Sequence, residues 1–263
     1  MTKFRPYSRR VLRQRRRAWI TRNAVFLSVV CLGLLGGLGL ATVLLTTGQM
    51  TPFRWYLLGA VHAGVVAACV QMLYVAFIAQ DRHALQHLRG AWGEENTRDE
   101  LRRAKRKGLI WGWVDSINLK AGDLDHLVVT RRGGLVTIDS KWRTSTDPQQ
   151  TVDMARDARR AKIRAEGVSK SVLASTRGSR HRARTNPLVV RPVVVLWGAA
   201  QHEVPEGAVV DGIEFVSGRR LVTWLAQLDG DPVSKHAGRD ALTRFKEFRA
   251  SAWDTTDSRH AKV

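Results

Sequence analysis

The sequence predicts an α/β protein, a mixed β-sheet sandwiched between helices, preceded by a transmembrane α-helical hairpin. Three observations carry that expectation. Two long uncharged apolar runs lie within the first 79 residues. Helix-like and strand-like segments alternate after them. One glycine-turned β-hairpin then gathers two aspartates and a lysine at one end.

Ala24 to Thr47 and Trp55 to Ala79 carry no charge. Each exceeds the roughly 20 residues that cross about 30 Å of hydrocarbon as a helix. Gly48-Gln-Met-Thr-Pro-Phe-Arg54 is the polar turn between them, with Trp55 and Tyr56 as interfacial anchors. A cleaved signal peptide is disfavoured, because the first run is long and has no clear small-residue cleavage site. Lys3, Arg5, Arg9, Arg10, Arg13, Arg15, Arg16, Arg17 and Arg22 precede the first run, only Arg54 lies in the turn, and Arg82, Arg89, Arg98, Arg102 and Arg103 follow the second. The positive-inside rule therefore puts both termini in the cytoplasm, and the expected location is the bacterial inner (plasma) membrane. Gly33 and Gly37 form a GxxxG that suits a helix–helix contact, within the hairpin or between chains as a homo-oligomer. His62 and Gln71 read as isolated polar residues of the second span, and two spans without an internal charge make a poor transport path. Cys31 and Cys69 lie in apolar runs without metal spacing and read as packing residues, as a reducing cytosol allows.

The net charge of +20 calls for polyanionic partners, nucleic acid or an anionic lipid surface. Residues 1–79 hold ten Lys and Arg and no acid, which leaves 33 basic and 23 acidic residues in the rest. The first part suits the lipid bilayer, and the second has the mixed charge of a soluble domain. The expected organisation is a basic cytoplasmic segment (1–22), two spans within 23–79, a soluble domain (80–253, core about 88–200) and a polar, frayed tail (254–263).

Within the soluble part, Asp81 to Lys107 reads as a helix broken near Gly90 and Gly93, and Leu109 to Leu119 as a strand with an irregular end. The hairpin follows: Gly122-Asp-Leu-Asp-His126 leads into Leu127 to Thr130, Arg131-Arg-Gly-Gly134 turns the chain, and Leu135-Val-Thr-Ile-Asp-Ser-Lys-Trp142 returns. Asp147-Pro148 starts a helix to about Leu173, and Ser175 to Asn186 is a basic loop. Leu188 to Trp197 is a buried strand, Gly212 to Val216 another strand, and Gly218 to Leu228 a small helix.

Side chains alternate along a strand, so Asp139 and Lys141 share a face, and the fold-back brings Asp125 opposite Asp139. Two carboxylates and an ammonium at one spot can hold a divalent metal beside a phosphodiester. The plain alternative is a surface ion pair between Asp139 and Lys141. His126 should point to the other face, where a structural hydrogen-bonding role is favoured. Trp111, Trp113 and Trp142 read as core packing before base stacking.

Gly90-Ala-Trp-Gly-Glu94, Gly122-Asp-Leu-Asp-His126 and Gly134-Leu-Val-Thr-Ile-Asp-Ser-Lys-Trp142, taken in order, resemble the nuclease-related domain (NERD) of the PD-(D/E)xK nuclease superfamily, over roughly residues 88–200. The resemblance implies a restriction-endonuclease-like mixed sheet flanked by helices. It implies catalytic roles for Asp125, Asp139, Lys141 and Glu94, of which Asp125, Asp139 and Glu94 would serve Mg²⁺ (or Mn²⁺). The Ser140 carbonyl is a further candidate ligand. Arg143-Thr144-Ser145 departs from the family's nearby glycine, so the loop there should differ in shape. Arg131, Arg132, Arg143, Arg177, Arg180, Arg182 and Arg184 are the candidate nucleic-acid contacts, although the basic loop and the helix from Arg156 to Lys170 would equally suit an anionic membrane. The expected function is a membrane-anchored, metal-dependent nuclease acting on nucleic acid, in first place DNA. The alternative is a non-catalytic nucleic-acid- or protein-binding module tethered to the membrane.

Overall fold

The computed structural model describes residues 7–47, 51–119, 121–174 and 188–260. The chain divides into two compact units, one of residues 8–88 and the other built from residues 89–263.

The first unit contains α1 (Tyr7–Arg22), α2 (Ala24–Thr46) and α3 (Pro52–Gln80). Thr51 caps α3 by accepting a hydrogen bond from the Arg54 amide, and Pro52 occupies the first helical turn, where its missing N–H is no loss. Both α2 and α3 are long and apolar enough to cross a membrane. Large side chains such as Leu32, Leu35, Val66 and Met72 are exposed on them. In water that exposure would be costly, whereas lipid accepts it. Arg15 pairs with Asp81 at 3.2 Å, and Trp19 meets the Phe77 ring edge-on at 5.8 Å. His62 corrects the isolated reading of that residue, because its Nε2 lies 3.1 Å from Thr42 Oγ1 and ties α3 to α2. A polar group without water is stabilised by such a partner.

The second unit is an open six-stranded mixed sheet covered on both faces. Its elements are α4 (Arg82–Arg106, from residue 89 on), β1 (Ile110–Ile117), β2 (Leu124–Thr130), β3 (Leu135–Trp142), α5 (Pro148–Ala174), β4 (Val190–Trp197), β5 (Val209–Val210), β6 (Ile213–Ser217), α6 (Leu221–Ala226) and α7 (Lys235–His260). The strand order is β1-β2-β3-β4-β6-β5. β1, β2 and β3 are antiparallel neighbours, whereas β3, β4 and β6 run parallel. The parallel step from β3 to β4 needs a long crossover, and α5 supplies it.

Burial follows the alternation of the strands. Val136 and Ile138 of β3, with Val193, Val195 and Trp197 of β4, pack with Leu101 and Ala104 of α4 and Leu221 of α6. Val194 and Leu196 point the other way, to Met154, Ala155 and Ala158 of α5. Leu127, Val129 and Leu135 meet Ala161, Ala165 and Val168 of α5 and Leu242 and Phe245 of α7. A strand buried on both faces must be apolar throughout, which is why Leu188 to Trp197 reads as an unbroken hydrophobic run.

Three expectations need correction. α4 is unbroken at Gly90 and Gly93. A mid-helix glycine costs about 1 kcal/mol relative to alanine, and here packing outweighs it: Gly93 lies against Ser140 and Trp142 of β3. The polar tail from Asp254 is helical as far as His260, as the end of α7. Its inward stripe is Ala241, Leu242, Phe245 and Phe248, a helical spacing interrupted by many charges. The two-residue edge strand β5 is too short to leave a period in the sequence.

Two glycines hold positions no other residue takes without strain. Gly134 closes the β2–β3 turn at φ +87°, and a Cβ there would lie 2.7 Å from the Val189 carbonyl. Gly198 ends β4 at φ +78°, with the Arg143 carbonyl in the space a Cβ would need. The loop after β3 is pinned there, since the Arg143 amide donates to Trp197 O at 3.0 Å and the Ala200 amide to Arg143 O at 3.2 Å.

Candidate active site

The β2–β3 register pairs His126 with Ile138 and Leu127 with Thr137. One step further, Asp125 stands across from Asp139, as the hairpin reading requires. Paired residues of an antiparallel ladder share a face, so both carboxylates project toward α5 together with Lys141. They line a cleft of about 150 Å³ with Asp123, Asp157 and Arg164.

Each group is held by its local structure. The Ser140 amide donates to Asp125 Oδ2 at 3.0 Å, just where β2 and β3 part, and so orients the carboxylate. It is thus the amide of Ser140 that reaches Asp125, while its carbonyl lies against Gly93 of α4. Lys141 Nζ sits 3.1 Å from Asp139 Oδ1 and 3.8 Å from Asp157 Oδ2. Arg164 of α5 donates to the carbonyls of Ala121 and Asp123, each at 3.2 Å, and fixes the segment that leads into β2.

The site is rich in negative charge. Burial pushes the Asp125 carboxyl up to about 7, and the charges of Asp139 and Glu94 push in the same direction against His126 and Lys141. For Lys141, burial alone would lower the affinity for its proton, but Asp139, Asp125 and Asp157 together outweigh it and hold the ammonium above its ordinary value. Burial also raises Asp123, against a backbone hydrogen bond from Leu119 and the charge of Arg164.

The Asp125 shift has a consequence for stability. The folded protein keeps this proton to about pH 7, whereas the unfolded chain releases it near its ordinary value of 3.8. The group's contribution is therefore most favourable below pH 3.8 and is lost as pH rises through about 7. Without divalent cation, wild type should lose melting temperature relative to Asp125→Asn between about pH 4 and 8. Thermal melts of both proteins at several pH values check this, and a pH-independent difference would sink the buried-carboxylate argument.

Glu94 is placed differently from the other three. It lies on α4, which packs on the opposite face of β3 through Thr97: Thr97 Oγ1 is 2.8 Å from Ser140 Oγ and accepts from Trp197 Nε1 at 2.8 Å. Glu94 is buried and acts on Asp125 through its charge, but it does not line the cleft. Arg131 and Arg132 sit in the turn at the far end of the hairpin, about 20 Å along β2 from Asp125. Arg131 stacks there on Trp111 at 4.4 Å. Arg143 is exposed just beyond β3, at the carboxylate end. Arg177, Arg180, Arg182 and Arg184 lie outside the described residues.

The His126 ring turns to β1, in the structural hydrogen-bonding role favoured for it, and is fully buried. Its Nδ1 lies 2.7 Å from Asp115 Oδ1 on the facing residue of β1. Arg98 of α4 donates to Asp115 Oδ2 at 3.1 Å, and Trp113 Nε1 donates to Oδ1 at 2.8 Å. Burial alone would raise Asp115, but the His126 hydrogen bond and charge, then Arg98 and Trp113, outweigh it and hold the carboxyl below its usual range.

The sequence reading missed Asp115, Asp157 and Arg164. Asp115 could have been found by laying β1 against β2, which puts it opposite His126. Asp157 and Arg164 continue the stripe of Ala161 and Val168 on α5, a signal visible in helical spacing.

No protein-family model matches the chain, and neither a curated protein nor a solved structure matches it.

Proposed function

We propose that the chain is a membrane-anchored, divalent-metal-dependent nuclease of the NERD type, with a restriction-endonuclease-like sheet. In this reading it hydrolyses phosphodiester bonds, in first place those of DNA, at the cytoplasmic face of the bacterial inner membrane. The observation that carries the reading is the meeting of Asp125 and Asp139, one step beyond the last β2–β3 pair, with Lys141 in one cleft. The two apolar helices support the anchor, and the basic residues around them support the orientation.

The residues fit a small hard cation. Two carboxylates share one cleft, and the surplus negative charge that raises Asp125 is what a cation relieves. Mg²⁺ commonly takes one or two protein carboxylates and fills its other positions with water and phosphate oxygens. Among the described residues no group of three His, Cys, Asp or Glu side chains stands ready to hold a metal, so Asp125 and Asp139 would be the direct holders. Glu94 would add its charge to the field at the site. When bound, Mg²⁺ or Mn²⁺ would polarise the scissile phosphate and lower the pKa of a bound water.

The chain's own groups do the rest. The Ser140 amide keeps the Asp125 carboxylate aimed. Lys141, kept protonated by its three aspartates, offers its N–H donors to the attacking water or to charge growing on the phosphate. Arg143, exposed at the same end of β3, can meet the neighbouring backbone phosphate.

A second reading, the non-catalytic tethering module, draws on the Lys141–Asp139 ion pair, which by itself is an ordinary satisfied contact. One experiment separates the two. The full-length chain in detergent is incubated with plasmid, single-stranded DNA and RNA in Mg²⁺, Mn²⁺ or EDTA. The expected result is cleavage with either metal and none in EDTA. Salt-sensitive binding without cleavage in any metal would establish the tethering module instead.

A further inference from the structure

We propose that Asp157 is a positioning residue, the seat to which the Lys141 ammonium moves when a divalent cation takes Asp139. This inference rests on the metal-dependent reading above. Lys141 Nζ lies between two carboxylates, 3.1 Å from Asp139 and 3.8 Å from Asp157. It favours the deeper one: the Asp139 side chain is 12% exposed and that of Asp157 53%. A divalent cation on Asp139 would compete with the ammonium for that carboxylate, because two cations held against one carboxylate repel by several kcal/mol when shielded from water. The ammonium therefore needs a second counter-charge within side-chain reach. Asp157 provides it without backbone movement, since Lys141 is on a central strand and α5 is locked by Ala155, Ala158 and Ala161.

Charge balance leads to the same residue. Apart from His126, which is engaged to Asp115, the ionisable groups lining the cleft are Asp123, Asp125, Asp139 and Asp157 against Lys141 and Arg164. With all of them ionised the lining is short by two positive charges, which one divalent cation makes up. Arg164 is committed to the Ala121 and Asp123 carbonyls and cannot follow the chemistry. Among the described residues of the lining, Lys141 is the cation held by carboxylates alone, and Asp157 is the acid that keeps it beside the phosphate once Asp139 is occupied.

The test is a double-mutant cycle read by Mn²⁺ binding to the full-length chain in detergent, by calorimetry. Wild type, Asp157→Asn, Lys141→Gln and the double variant are compared, with thermal melts to verify folding. Asp157→Asn should weaken Mn²⁺ binding about threefold to fivefold while Lys141 is present, and change it by less than about twofold in the Lys141→Gln background. Lys141→Gln alone should bind Mn²⁺ more tightly than wild type. Asp157→Glu should restore the wild-type affinity. Equal weakening in both backgrounds, or none in either, would overturn the role of Asp157 and leave the metal site standing. Failure of wild type to bind Mn²⁺ would remove the metal-dependent reading and this inference with it.

Discussion

Asp139→Ala is expected to abolish metal-dependent cleavage, a loss of at least about 10²–10³-fold, as for removal of one preorganised electrostatic group. The protein should stay folded. Asp139 lies in a solvent-reached cleft, and its charge helps to push Asp125 up, so its removal relieves a like-charge repulsion. Lys141 keeps Asp157 as a partner at 3.8 Å. Lys141→Ala should lose activity on the same scale for a different reason. Its two carboxylates remain, so Mn²⁺ still binds while turnover fails. Rate, Mn²⁺ affinity and melting temperature, measured on both variants, separate the roles: Asp139→Ala loses binding and rate, Lys141→Ala loses rate alone. Cleavage retained in both variants would remove the nuclease reading.

The hairpin was legible because its signals are local. Gly133 and Gly134 mark the turn, Val128, Val129, Val136 and Ile138 mark the strands, and a turn position fixes register. From register alone, Asp125 meets Asp139 and Lys141 joins them. β4 was legible because Val193 to Trp197 is apolar on both faces. The parts that escaped depend on distant residues. Asp157 is separated from Lys141 by a loop and three turns of α5, and only the parallel β3–β4 crossover lays that helix over the cleft. Asp115 is an unremarkable acid in β1 until β2 pairs with it and α4 lowers Arg98 onto the pair. Glu94 is legible from motif order, and only the packing of α4 on β3 shows that its charge reaches Asp125. α7 was missed because four apolar residues at helical spacing are diluted by the charges around them. Its burial of Phe245 against β1 and β2 comes from tertiary packing, which composition does not reveal.

The largest loss of stability is expected from Asp115→Ala, about 3–5 kcal/mol, the scale for breaking a buried charge pair from one side. Its carboxylate receives Arg98, His126 and Trp113 at 3.1, 2.7 and 2.8 Å, and its side chain is only 13% exposed. Removing it takes a carboxylate from the Arg98 guanidinium and the acceptor from the His126 and Trp113 ring N–H groups in the interior, and a buried donor that loses its acceptor carries its desolvation penalty. Asp115→Asn should lose less, because the amide oxygen still accepts from one donor while its NH₂ opposes another. The pH dependence should separate this acid from Asp125. Asp115 is held below its ordinary value of 3.8, so its contribution is present above that pH and is lost as pH falls through the lower folded value. Wild type should thus lose stability in acid relative to Asp115→Asn, whereas Asp125 acts in the opposite sense between pH 3.8 and about 7. Urea unfolding of the three proteins from pH 3 to 8 reads both slopes. The consequence reaches the site through one peptide bond: His126 follows Asp125 directly and faces the other side of the sheet. If Asp115→Ala leaves stability unchanged, the cluster does not hold β1 to β2, and the aim of Asp125 must rest on the Ser140 amide alone.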